Sequence, residues 1–214
     1  MARIVKQPQE RRAEIVAAAR RLLASGGYES TTMQDVMREV GIAKGAVYHY
    51  FRSKEELFEA VVEDIVGEAT AQMCQALEAA QGSALDVMRA MIAAGRAAET
   101  APEILERLHR PGNAGMHVRL LAAAIQQQAP LYAELIRRGC EQGEFRTATP
   151  LETAEFLLTA VQFLTDEGIH PWPADTLQRR AQAFPTLIET LLGAEPGSFR
   201  FLAADQRESD SGNA

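Results

Sequence analysis

Apolar residues recur along this chain at intervals of three and four, and nowhere does a sustained period-two alternation of β-branched residues suggest a strand. The first stripe, Ile15, Ala18 and Leu22 with Ala19 and Leu23, predicts a helix over about 9–24, stopped by Gly26 and Gly27. Thr32 with Asp35 reads as the cap of a second helix that buries Met33, Val36, Met37 and Val40. Gly41 ends it, and a short third helix follows over about 44–50. Ser53 with Glu56 caps a long helix to about Ala80, striped by Leu57, Val61 and Ile65 and by Phe58, Val62, Ala69 and Met73.

The pattern continues helical to the end. Ser83 with Asp86 starts a helix to about Glu99, and Pro102 a short one to about Arg110, where "RPGNAG" breaks the periodicity. Separate helices are expected over 114–128 and 130–142, divided at Pro130. Two more follow, from Thr149-Pro150 to about Asp166 and from Ala174 to Leu192, the latter kinked by Pro185. Beyond Gly193 the residues are small and polar, and the tail is expected to be flexible. The prediction is an all-α chain of about nine or ten helices.

Charge separates the chain into a head and a body. Residues 1–52 carry nine Lys and Arg against five Asp and Glu, whereas residues 53–214 carry thirteen against twenty-four. A basic head on an acidic body points to a polyanion met by the head alone. With 47% hydrophobic residues the chain can bury a core, yet no apolar run is long enough to span a bilayer. The opening "MARIVKQPQERR" leads into an arginine-broken helix rather than a signal-peptide core, so a cytoplasmic location is expected. In that setting Cys74 and Cys140 read as thiols.

The head has the form of a helix-turn-helix, two short helices joined by a tight turn containing Gly41. Ile42 and Val47 would pin the third helix, and Tyr50 and Phe51 would cement the head to the fourth. Lys44, Gly45, Ala46, Tyr48 and His49 are left facing outward. Tyr, His and Lys supply donors for phosphates and base edges, while Gly45 and Ala46 let the backbone approach a major groove. The other reading of the rings is plain core.

The stretch "IVAAARRLLASGGYESTTMQDVMREVGIAKGAVYHYFRSKEELF" resembles the N-terminal domain of the TetR family of bacterial transcriptional regulators. Gly27-Tyr28, Thr31-Thr32, Val36, Gly41, Lys44-Gly45, Tyr48, Phe51 and Ser53 to Leu57 carry the likeness. The resemblance implies a DNA-binding domain over 1–52, an effector-binding and dimerisation body over 53–193, and a tail over 194–214. It assigns Thr32, Lys44, Tyr48, His49 and Lys54 to phosphates, and Lys44, Gly45 and Ala46 to bases. Ala43 and Ala46 stand where the family often has hydroxyls, which favours apolar contact with a thymine methyl.

Residues 150–166 are apolar nearly all round, so that helix should be covered on two sides. The resemblance implies that it and the last helix pair with their copies in a homodimer, with Leu157, Val161, Leu164, Phe184, Ile188 and Leu191 in the seam; a larger monomeric core is the alternative. An apolar effector pocket is expected from Met73, Met91, Met116, His117 and Phe156, with His109 beside them. The function expected is a DNA-binding regulator, a repressor released from a palindromic operator by a small molecule, with no cofactor and no metal. Two other readings stand beside it: a metal-dependent enzyme built on His109, His117 and a carboxylate, and an architectural DNA binder without a ligand.

Overall fold

The structure, a computed structural model, describes residues 7–98, 104, 106 and 108–203. Its described residues form helices α1 (Pro8–Gly26), α2 (Met33–Val40), α3 (Lys44–Tyr50), α4 (Lys54–Ala79), α5 (Ala84–Ala97), a 3-10 turn (Pro111–Asn113), α6 (Ala114–Gln142), α7 (Pro150–Thr165) and α8 (Ala174–Leu192). Contacts divide the chain into two compact units, Met1–Glu68 with Glu99–Ala123, and Ala69–Ala98 with Ala124–Ala214.

Local chemistry explains the boundaries in the first unit. Thr32 accepts the Asp35 amide at 3.2 Å, and the Asp35 carboxylate returns to the Thr32 amide at 2.9 Å, a closed capping box. Gly41 takes the left-handed conformation, φ 71°, that ends α2 with its amide on the Met37 carbonyl. Ser53 accepts the Glu56 amide, while Glu56 reaches one residue past it to the Arg52 amide. Ile15, Ala18, Ala19 and Leu23 of α1 are buried, as are Val36 of α2, Val47 of α3 and Leu57, Phe58 and Val61 of α4. Arg20 clips α1 to α4 through Glu68 at 2.6 Å and Asp64 at 3.2 Å. Its guanidinium holds the Glu68 carboxyl below the usual range, so the clip acts at neutral pH and is lost as pH falls through that depressed value. Both carboxylates are well exposed, and the clip is a minor contribution.

The second unit closes on one apolar cluster. Met73, Met88, Met91, Leu135, Ile136, Phe145, Ala154, Ile188, Leu192 and Phe199 form its buried centre.

Two expectations from the pattern are corrected. The helices expected at 114–128 and 130–142 are one, α6, which runs through Pro130. Proline removes one helical donor and orphans the carbonyl four residues back. Pro130 and Gln126 both lie on the exposed face, where water can take that carbonyl. The tail, expected to be flexible from Ala194, is packed as far as Ala203. Phe199 is 1% exposed, and the Glu189 carboxylate accepts the Gly197 and Phe199 amides at 2.9 and 3.0 Å. A buried acceptor and two aromatic rings outweigh the small polar residues around them. The short helix expected over 102–110 falls largely outside the described residues, although Ile104, Glu106 and Leu108 have helical backbone.

Candidate nucleic-acid interface

The turn between α2 and α3 spans three residues, and the burial along α3 sorts its side chains by role. Val47 is fully buried and Phe51, just past the helix, nearly so, with the Arg12 guanidinium 5.0 Å over its ring. Ala43, Lys44, Gly45, Ala46, Tyr48 and His49 are all exposed. Val47, in the middle of the seven, anchors the helix, Tyr50 at its end is half-buried, and the other five residues face water. Nothing lies within 4 Å of where a Cβ on Gly45 would stand, so the small residues there leave the helix surface open. The Lys44 ammonium lies 5.6 Å from the Tyr48 ring centre, near enough to hold the two side chains together. His49 meets Tyr50 edge-on at 5.1 Å.

Thr32 and Lys54 occupy more constrained places. The Thr32 hydroxyl closes the α2 cap, donating to Asp35 at 2.6 Å while accepting its amide. The Lys54 ammonium lies 4.1 Å over the Tyr28 ring and donates to the Glu29 carbonyl at 3.4 Å. Burial lowers its pKa from the ordinary lysine value. Tyr28 in turn donates its hydroxyl to Glu55 at 3.3 Å and meets Phe58 edge-on. The sequence signals for Lys54 and Tyr28 lay in the resemblance alone, since neither follows from helical periodicity.

The expected pocket residues are divided between the two units. Met73 and Met91 are buried in the second unit's cluster, joined by Met88. Met116 and His117, both residues of the first unit, are buried, and His117 meets the exposed His109 edge-on at 4.9 Å. Phe156 is 62% exposed and lines no interior. Its helix turned out apolar on a face that the protomer leaves open.

The residues expected in a seam differ in their burial within the protomer. Leu157 and Phe184 pack against the second unit's own cluster and Ile188 is buried in it, 8% exposed. Val161 and Leu164 are half-buried. Of the six residues assigned to a seam, only Leu191 is exposed; Phe156, Phe163 and Leu187 join it as exposed large apolar side chains. A helix apolar all round cannot declare which side its own core takes. Among the described residues no helix is long and apolar enough to cross a membrane.

Comparison with known proteins agrees with this geometry. Residues 15–61 match the family model of bacterial regulatory proteins, tetR family, and residues 96–187 match that of a tetracyclin repressor-like C-terminal domain. The uncharacterised HTH-type transcriptional regulator YfiR of Bacillus subtilis is 31% identical over 164 residues, covering 73% of this chain and 79% of its own. The HTH-type transcriptional repressor AcnR of Corynebacterium glutamicum is 29% identical over 159 residues, covering 72% and 79%. Among solved structures, RolR in complex with resorcinol overlays with a TM-score of 0.66 at 17% identity, covering 91% of this chain and 93% of that one. These relatives are transcriptional regulators, and the reading of His109 and His117 as an enzyme's centre is set aside. The chain belongs to the TetR family of bacterial helix-turn-helix transcriptional regulators.

Proposed function

We propose that this protein is a homodimeric repressor that grips a palindromic operator with two copies of α3 and is released by a small apolar effector. The observation that carries it is the sorting along α3: buried Val47 and Phe51 fix the helix, while Ala43 to Ala46, Tyr48 and His49 stand free on one exposed surface. On this reading Lys44, Tyr48 and His49 reach phosphates, and Gly45 and Ala46 bring the helix close enough for Ala43 and Ala46 to meet thymine methyls. Lys54 adds charge at the edge, and Thr32 must release the proton it gives Asp35 before its hydroxyl can donate to a phosphate. Residues 1–52 are the DNA-binding part, and 53–193 hold effector and partner.

Selecting duplexes from a random library with the purified protein tests this directly. A two-fold symmetric consensus is the expected product. Against that duplex, Lys44→Ala should reduce the salt slope of log affinity by about one unit for each half-site. Tyr48→Phe keeps the ring and removes only its hydroxyl, at a cost of about 1.5 to 3 kcal/mol per hydrogen bond to phosphate. If both variants stay folded and bind as the parent does, α3 is not the recognition helix.

On this reading the effector enters the second unit's core beside Met73, Met88 and Met91, buried side chains soft enough to repack around it. RolR holds resorcinol within the same fold, which supports a small-molecule site in a body of this kind. A hundredfold release needs about 2.7 kcal/mol of differential affinity between free and operator-bound protein. Calorimetry should then find effector binding weakened a hundredfold by saturating operator; equal affinities in the two titrations would remove the compound as an inducer.

A further inference from the structure

The beginning of α6 is fastened to the turn between α1 and α2. Asn113, almost fully buried, accepts the Tyr28 amide on Oδ1 at 3.0 Å. The neighbouring Gly27 has φ 86°, and a Cβ there would stand 2.9 Å from Asn113 Nδ2, so the carboxamide lies directly against the glycine. Gly112 makes the matching allowance from the other side: a Cβ on it would stand 2.6 Å from the Glu29 carboxylate. One turn into α6, Arg119 pairs with Glu59 of α4. Asn113 and Arg119 lie within the stretch matched by the C-terminal family model, yet both pack within the first unit.

The turn does not need Asn113 in order to form. Its own hydroxyls already close it, with Thr31 donating to the Gly27 carbonyl at 2.8 Å and Ser30 to the Gly26 carbonyl at 2.6 Å. The Gly27 amide completes α1 on the Leu23 carbonyl. What Asn113 adds is a fixed location for the turn, and α2 begins at Met33, directly after it. We propose that Asn113 is a positioning residue for operator recognition, setting α2 and thereby α3 through the Gly27-Tyr28 turn without touching DNA. This rests on the reading of α3 as the recognition helix.

Asn113→Leu keeps the volume and removes the acceptor. The probes are the duplex enriched by the parent protein and a scrambled duplex of equal length. The variant is expected to bind the enriched duplex about tenfold more weakly, with the scrambled duplex and the salt slope unchanged, because no phosphate contact is lost. General damage to the fold would weaken both duplexes together, and that result overturns the proposal, as does a folded variant that binds like the parent. Should the variant not fold, amide exchange in the parent decides: the Tyr28 amide is expected to exchange more slowly on the enriched duplex than on the scrambled one. Equal rates overturn the proposal while leaving DNA binding intact. A parent that enriches no duplex overturns the DNA reading and this proposal with it.

Discussion

Replacing Leu187 and Leu191 together with glutamate is expected to split the protein into folded monomers and to remove most of its operator affinity. Both side chains are open to solvent in the protomer, 54% and 43% exposed, one turn apart on α8, with Phe156 and Phe163 exposed on α7 packed beside it. With Leu151 of α7, five large apolar side chains are exposed on this helix pair, more than a solvated surface needs, and covering them with a second copy removes them from water. A carboxylate in that seam is desolvated without a partner, which costs several kcal/mol in the dimer and nothing in the monomer. The contrast with Ile188→Glu is the control. Ile188 lies in the second unit's own cluster, so a charge there should unfold the protomer rather than merely separate two of them. Operator affinity falls because two heads on one body bind the second half-site at an effective concentration that a free monomer lacks, a gain of about 10² to 10⁴. Sedimentation of the parent at micromolar concentration checks the premise. A monomeric parent, or a double variant that still sediments as a dimer, would leave the exposed face without this explanation.

The head was legible from sequence because its determinants are local. Thr32 and Asp35 are three residues apart, as are Ser53 and Glu56, and Gly41 follows directly on the last turn it ends. Periodicity then separates Val47 from its exposed neighbours. The body yielded less for a physical reason. Leu157, Ile188 and Phe156 have the same transfer preference, and only the placement of other helices decides which are inside. The contact between Asn113 and Tyr28 spans 85 positions and runs to a backbone amide, so no side-chain pairing announces it. Pro130 misled because the cost of a proline depends on whether the orphaned carbonyl can reach water, which a one-dimensional pattern does not contain. The placement of Met73 and Met116 in different units is likewise invisible to composition.

Phe199→Ala is expected to destabilise the second unit by about 3 to 5 kcal/mol, the cost of emptying a fully buried ring site. The ring lies 6.1 Å from Phe145 and 5.9 Å from Phe201, and the latter is capped in turn by the Arg89 guanidinium at 4.7 Å. Phe145 is itself held close against Gly139, where a Cβ would stand 2.1 Å from its ring. Glu189→Ala attacks the same segment from its polar end. It strips two backbone amides of a shared acceptor, one of them buried, at about 1 to 3 kcal/mol for each amide left unsatisfied. Glu189→Gln keeps a carbonyl oxygen at that place and should retain most of the difference. Because both residues act through residues 197–199, the double variant should lose less than the sum of the two singles. Urea unfolding of the parent and the four variants measures all of this, and the coupling survives any common error in extrapolation. A Phe199→Ala loss below 1 kcal/mol, or strictly additive losses, would mean that the segment after Gly193 is not part of the cooperative core. The head should be indifferent throughout: while the variants remain folded, their affinity for the operator duplex should match the parent's, because no residue of α1 to α3 lies in the cluster that Phe199 completes.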